Sequence, residues 1–144
     1  MSPHQIFSVA NLVAFCCWLL LILLPGRTWV TRGVAGVAVP AGLGVLYTVI
    51  IAAQFFGSAG GFSSLQDVAL LFSNPWLLLA GWIHYLAFDL LVGTWEARDA
   101  RERGIPHLFV VPSLLLTFLF GPAGWLLYLG IRSRAPVIAR HSER

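Results

Sequence analysis

Four long apolar stretches, separated by short polar segments, make up most of this sequence. They cover approximately residues 6–24, 34–56, 75–94 and 106–131. Each stretch has the roughly 20 residues that an α-helix needs to cross the hydrocarbon core of a bilayer. None of them shows the alternation of apolar and polar residues that is typical of a half-buried strand. The pattern therefore predicts an all-α fold, an integral membrane four-helix bundle in which the whole chain forms a single domain.

Proline and glycine mark where these helices end or deviate. Pro25-Gly26 is expected to end the first helix, and Asn74 is expected to cap the third, with Pro75 at its first position. Pro40 should kink or restart the second helix unless a neighbouring residue satisfies the carbonyl that it leaves free. Gly121-Pro122 is expected to bend the fourth span.

The composition agrees with a membrane protein. Hydrophobic residues make up 58% of the chain, charged residues make up 10%, and the mean hydropathy is +0.83, whereas soluble domains carry about 25% charged residues. The net charge is +3 and every basic residue is an arginine, placed in loops and in a polar tail, 132–144. Membrane proteins keep arginines in such places, so no nucleic-acid partner is predicted. Four spans would put both termini on one side, with five arginines on one face and four on the other, which leaves the orientation open apart from a lean towards external termini.

Ionisable side chains inside the third span are the main candidates for chemistry. A charged group at the centre of a bilayer costs roughly 2.5 to 3.5 kcal/mol on insertion scales, so such groups usually face a bundle interior or a polar cavity. Asp89 and His84 lie in this span, and His107 opens the fourth. We predict Asp89, His84 and His107 as catalytic proton donors and acceptors. The structural alternatives are an interhelical hydrogen bond for Asp89 and an interfacial anchor for His107.

Further residues are candidates for substrate contacts. Tyr85 and Glu96 share the helical face of Asp89, aromatic side chains could line a slot for a long apolar molecule, and one polar residue ends span two. The predicted substrate-binding residues are Tyr85, Trp82, Phe88, Glu96 and Gln54. The charged segment that follows, 96–104, is predicted to be mostly a solvated turn with ion pairs worth under about 1 kcal/mol each.

A metal site is the alternative use of the same side chains. The oxygen and nitrogen donors of the region would suffice for one or two hard ions. They are His84, Asp89, Glu96, Asp99 and His107. However, no stretch has the HExxH or ExxH spacing that places ligands on one helical face. We therefore predict no metal site and no cofactor, with a bound ion as the less favoured alternative.

Three strings in the second half of the chain resemble a known family. HYLAFDLLVGTW, then GIPH, then LLLTFLFGPAGWLLY are similar to segments of the ABA4-like membrane proteins. The resemblance implies a four-span protein that modifies carotenoids. In plants the implied reaction converts violaxanthin to neoxanthin, an isomerisation that opens an epoxide and leaves an allene. Such a reaction needs an acid and a base but no redox cofactor. The plant proteins carry a plastid transit peptide, which is absent here, so we expect a bacterial or an already-trimmed relative. A bacterial member would lie in the inner membrane.

Two classes of function follow from these observations. The first is a membrane-embedded isomerase that acts on a carotenoid or xanthophyll by acid/base catalysis in an intramembrane pocket. The alternative is a non-catalytic membrane protein that binds a carotenoid or another isoprenoid lipid, or that serves in assembly. Because four spans enclose only a narrow cavity, the alternative places for the ligand are a lipid-exposed groove and the interface of a homo-oligomer. A small proton or ion pathway is a third hypothesis, against which the clustering of loop carboxylates at one end argues.

Overall fold

The regular structure of the protein is helical. The computed structural model describes residues 1–134, so most of the predicted tail, residues 135–144, lies outside the described residues. The described part contains six α-helices rather than the four predicted, while the all-α class is confirmed. These helices are α1 (Pro3–Leu23), α2 (Val39–Gln54), α3 (Leu65–Leu71), α4 (Pro75–Glu102), α5 (His107–Phe120) and α6 (Pro122–Arg134).

Three helices are long and apolar enough to cross a membrane, judged by length and composition. They are α1, a continuous helix over Trp29–Gly57 that contains α2, and α4. Ser2 caps the start of helix α1 and forms a capping box with Gln5. Helix α4 begins at Asn74, whose side chain accepts a hydrogen bond from the backbone N–H of Trp76 at 2.9 Å, so the predicted cap is confirmed.

The continuous second helix changes its winding at Pro40. Residues Trp29–Ala38 form a π-helix, in which Val39 N–H bonds the carbonyl of Val34, five residues back. By the same spacing, the missing N–H of Pro40 leaves the carbonyl of Ala35 without a partner. The hydroxyl of Thr94 on α4 donates to that carbonyl at 3.2 Å. The helix therefore restarts as α-helix without breaking, because a neighbouring side chain satisfies the freed group.

The fourth apolar segment is not one helix but a hairpin of two. Gly121, with φ +37°, separates α5 from α6, and α5 has only 14 residues, about 21 Å of helix, which is too short to cross a bilayer core. The two helices run antiparallel, since one groove is lined both by the start of α5 at Pro106 and by the end of α6 at Ile131. The sequence predicted only a bend at Gly121-Pro122, whereas the chain reverses its direction completely at this point.

This hairpin returns the chain to the end of the molecule from which it entered. Arg132 of α6 bonds Asp99 near the end of α4, and Arg101 donates to the carbonyl of Gly26 in the first loop at 2.7 Å. All seven arginines of the described residues lie in segments at this end, which we call the arginine end. They are Arg27, Arg32, Arg98, Arg101, Arg103, Arg132 and Arg134. The start of α1 lies at the opposite end, beside the start of α4.

Two hydrophobic clusters fill the interior, one for each half of the bundle. The cluster towards the start of α1 is built from α1, α2 and α4 and contains Ala14, Leu43 and Ile83. The cluster towards the arginine end also contains hairpin residues, including Leu114 and Tyr128. The hairpin therefore covers α1 and α4 in one half of the molecule only.

Candidate functional site

Asp89 lies at the middle of α4, against the tip of the hairpin. It is the fifteenth of the 28 residues of this helix, and it is 9% exposed. Gly121 is packed against its carboxyl group, since a Cβ atom built on Gly121 would lie 2.6 Å from Asp89 Oδ1. Asp89 Oδ2 is buried without a hydrogen-bond partner among the described residues. A buried acceptor of this kind is costly unless it is protonated or accepts a hydrogen bond from a bound molecule.

Tyr85 lies one helical turn before Asp89 and on the same face. Its hydroxyl donates to the backbone carbonyl of Phe118, near the hairpin tip, at 3.1 Å. The same hydroxyl also lies beside the Asp89 carboxyl group. Tyr85 is half-buried, so its ring forms the boundary between the buried carboxyl and the outer surface of the bundle. This places a phenol and a carboxyl side by side at the centre of the molecule.

Glu96 provides a second buried carboxyl group, two turns further along α4. It is 0% exposed, and its Oε1 accepts a hydrogen bond from the hydroxyl of Thr117 on α5 at 2.8 Å. The buried Ser113 also borders this carboxyl. Its second oxygen, Oε2, has no partner among the described residues. Glu96 was predicted to bind substrate, whereas the structure places it deep between α4 and α5.

A glycine and a tryptophan separate the two buried carboxyl groups. Gly93 lies between Asp89 and Glu96 on the same face of α4, and the indole ring of Trp18 from α1 packs directly on it. Trp18 is 2% exposed and contacts Phe118 of the hairpin, with ring centroids 5.6 Å apart. The absence of a side chain at Gly93 therefore allows α1, α4 and the hairpin to meet at the level of the two carboxyls.

The charged segment after Glu96 is solvated in part, since Arg98, Arg101 and Glu102 are exposed, but Asp99 forms an organised cluster. Helix α4 continues through it to Glu102. Asp99 accepts hydrogen bonds from Arg103 at 2.9 Å, from Tyr128 at 2.6 Å and from Arg132 at 2.9 Å. The last two partners belong to α6, so this cluster fastens the outer end of the hairpin to α4. The sequence-based expectation of a mostly solvated turn missed these partners because they lie about 30 residues away in the chain.

The structure places His84 on a different face from Asp89. Its ring is exposed, stacks on Phe88 with centroids 4.5 Å apart, and lies 5.7 Å from the ring of Tyr47 on α2. Residues five apart in a helix point about 140° away from each other, and no turn of a neighbouring helix brings these two together. His84 and Phe88 therefore lie outside the group formed around Asp89.

His107 and Gln54 are also placed away from Asp89. The Nε2 atom of His107 lies 2.9 Å from the carbonyl oxygen of Ile22, so the ring joins the start of α5 to the end of α1. Gln54 is the last residue of α2, at the end of the bundle opposite the arginine end. Among the described residues, no group of three or more His, Cys, Asp or Glu side chains is arranged to hold a metal ion.

Trp82 lies on the approach to Asp89. Its ring is 5.2 Å from that of Tyr85 and 5.5 Å from that of Phe7 on α1, and its indole N–H donates to Asn11 Oδ1 at 3.1 Å. A groove of about 290 Å³ lies between the starts of α1 and α4, and its mainly apolar lining includes Phe7, Leu78 and Trp82. The hairpin packs on the same side of α1, where Phe118 contacts Phe15 and Trp18. Tyr85 lies between Trp82, at the edge of the groove, and Asp89.

The chain matches a known protein family. A protein-family model described as ABA DEFICIENT 4-like, or ABA4-like, matches residues 5–128, which is most of the chain. The chain belongs to the ABA4-like family. No curated protein and no solved structure matches this ABA4-like chain. The matched range contains Asp89, Glu96 and the hairpin tip, whereas Arg132 lies just beyond it.

Sequence reasoning missed the residues that the hairpin of this ABA4-like chain contributes to the site. Ser113, Thr117 and Gly121 are spaced by four and therefore share one face of α5 and its end. All three are buried. That stripe of two hydroxyls and a glycine in an otherwise apolar segment was the available signal. It indicates a polar face directed at another helix, although it does not identify Glu96 and Asp89 as its partners.

Proposed function

We propose that this protein is an integral membrane protein with three spans and a re-entrant hairpin. The lengths and hydropathy of the three long helices support this. The chain reversal at Gly121 is also compatible with a bilayer, because irregular backbone at membrane depth is tolerated where protein covers it, and Gly121 is buried. Within this arrangement Asp89 and the hairpin tip would lie near the middle of the membrane.

We further propose that the protein is an isomerase of a carotenoid, of the type that opens a xanthophyll epoxide. Family membership supports the carotenoid class. The observation that carries the catalytic proposal is the unpartnered carboxyl oxygen of Asp89, buried at the hairpin tip. Tyr85 separates this carboxyl from Trp82, which lines an apolar groove. A long polyene would lie in the groove, along Phe7 and Trp82, with its ring end at Asp89.

The chemistry requires one proton to be given and one to be taken. An acid protonates the epoxide oxygen while the bond from that oxygen to the ring carbon next to the polyene breaks. A base then removes the proton from the adjacent polyene carbon, and the electron pair of that C–H bond completes the allene. The product is an isomer of the substrate, so neither electrons nor atoms are exchanged with a cofactor.

We assign these two roles to Asp89 and Tyr85. Both lie on the same face of α4, with the Tyr85 hydroxyl beside the Asp89 carboxyl. If the Tyr85 hydroxyl turns from the carbonyl of Phe118 to the carboxyl, the two groups can exchange a proton in a water-excluded site, which would restore both after each turnover. Which of them meets the epoxide oxygen depends on how the substrate enters the groove.

The experiment is substitution of Asp89→Asn, with the protein produced in a host that accumulates violaxanthin. General acid or base catalysis contributes roughly 10² to 10⁴ in rate, so we expect neoxanthin formation to fall by at least about a hundredfold. The matched control is Asp67→Asn, the same chemical change in the first turn of the exposed helix α3, which should retain activity. Pigments are separated by chromatography and identified by mass.

The outcomes separate an enzyme from a binding protein. If the unsubstituted protein copurifies with carotenoid but never converts it, the protein is a binding protein and the catalytic proposal is wrong. If Asp89→Asn converts violaxanthin normally while remaining folded, Asp89 is not the acid or base. His84→Ala tests the sequence-based assignment directly, because loss of activity there and not in Asp89→Asn would move the site to the α2 side of α4.

A further inference from the structure

A second concave site lies at the arginine end, separate from the groove and from the buried carboxyls. It is a pocket of about 660 Å³ between the first loop and the last turns of α4. It is lined by Pro25, Thr28, Thr31, Arg32, Arg98, Arg101 and Glu102. Three arginines and a single glutamate therefore line one cavity.

Two of these arginines are free to bind a ligand. Within the described residues, the only ion pairs are those of Asp99 with Arg103 and Arg132, so Arg32 and Arg98 have none there. Both side chains are exposed. Arg101, in contrast, donates to the carbonyl of Gly26 at 2.7 Å, which holds the first loop against α4 and so gives the pocket its shape.

The backbone around the pocket also favours an anion. Thr28 lies at the start of the long helix Trp29–Gly57, at the positive end of the helix dipole. The N–H groups of Val30 and Thr31 already donate to the carbonyl of Arg27, so the dipole and not these donors favours an anion. Guanidinium groups bind phosphate oxygens in pairs of parallel hydrogen bonds, and their weak hydration suits them to an interfacial site. Basic pockets between helices at the end of a membrane bundle are typical binding sites for phospholipid headgroups.

We propose that this pocket binds a phosphate group, supplied by the headgroup of an anionic phospholipid. Arg32 and Arg98 bind the phosphate oxygens, the exposed Thr28 lies beside them, and Arg101 positions the loop. The acyl chains of the lipid would extend along the apolar surface of the bundle. This site is independent of the proposed reaction, and its occupancy does not require turnover.

The test measures lipid binding by the purified protein in uncharged detergent micelles. Phosphatidylglycerol, phosphatidylcholine or inorganic phosphate is added, and the thermal unfolding midpoint is followed as a function of concentration. A ligand that binds only the folded protein raises this midpoint. We expect phosphatidylglycerol to raise the unfolding midpoint. The variant R32Q/R98Q should require about thirty-fold more of this lipid for the same shift, because each of the two arginines contributes to the free energy of binding an anionic headgroup.

The matched control is Arg134→Gln, which removes an arginine at the same end but outside the pocket. Equal weakening by Arg134→Gln and by R32Q/R98Q would overturn the proposal, because it would indicate general attraction to negative charge. An unchanged response in R32Q/R98Q would overturn it as well. A full shift with inorganic phosphate alone would support the phosphate site and assign it to the free anion instead of the lipid. If the double variant does not fold, Arg98→Gln alone is used in the same comparison.

Discussion

Gly121 is the residue on which the geometry of the candidate site depends most. Its φ of +37° is rarely adopted by residues that have a side chain. A Cβ atom at this position would also meet both oxygens of Asp89, at 2.6 and 3.0 Å. One glycine thus allows two things, the reversal of the chain between α5 and α6 and the contact between the hairpin tip and the buried carboxyl group.

We therefore expect Gly121→Ala to destabilise the protein by about 2 kcal/mol or more, from backbone strain together with displacement of Asp89. The control is Gly130→Ala in α6, where a Cβ atom would meet nothing within 4 Å and where alanine should be neutral or mildly stabilising. Thermal unfolding in detergent measures both. Equal stability of the two variants would contradict the tight packing of the hairpin tip against Asp89.

At the scale of elements, the junction between the second long helix and α4 is held by a polar contact. The π-helical winding of Trp29–Ala38 and the missing N–H of Pro40 leave the carbonyl of Ala35 free, and Thr94 supplies the donor. The helices approach closely here, since a Cβ atom on Gly36 would lie 3.3 Å from Thr94 Cγ2. Thr94 is itself buried, so water does not replace its hydroxyl.

Thr94→Val should destabilise the protein by about 1 kcal/mol, because the valine keeps the volume of threonine but cannot donate to the Ala35 carbonyl. Thr48→Val is the matched control, since the Thr48 hydroxyl bonds the carbonyl of Gly44 within its own helix on an exposed surface. Its effect should be close to zero. A Thr94→Val variant as stable as the control would show that the Ala35 carbonyl finds another partner.

At the scale of the whole molecule, the hairpin decides at which end the arginines gather. Because α6 returns towards the end of α4, Arg132 and Arg134 join the arginines of the first loop and of α4. All seven arginines of the described residues then lie at one end, whereas four full spans would have divided them between two faces. The excess of arginine at one end predicts that this end faces the cytoplasm, and that the start of α1 faces the other side.

This topology is tested by labelling single cysteines in intact cells. Cys16 and Cys17 are first replaced by alanine, and Ser2→Cys or Ser133→Cys is then introduced at opposite ends of the described chain. A thiol reagent that does not cross membranes should label Ser2→Cys in intact cells and Ser133→Cys only after the cells are opened. Four complete spans would instead expose both positions on the same side, and equal labelling would refute the re-entrant hairpin.

The amino-acid sequence by itself determined the all-helical class, the three long apolar helices and the cap at Asn74, because these depend on composition, length and neighbouring residues. It also identified Asp89, Tyr85 and Glu96 as residues of one face, since helical periodicity is local. Only the tertiary structure decided that the last apolar segment folds back as a hairpin, and that no neighbouring helix brings His84 or His107 to Asp89. The hydropathy of residues 106–131 is the same whether they cross the membrane once or enter and return. The difference lies in contacts between distant residues, Gly121 with Asp89, Thr117 with Glu96 and Arg132 with Asp99, which exist only once α4 and the hairpin have packed together.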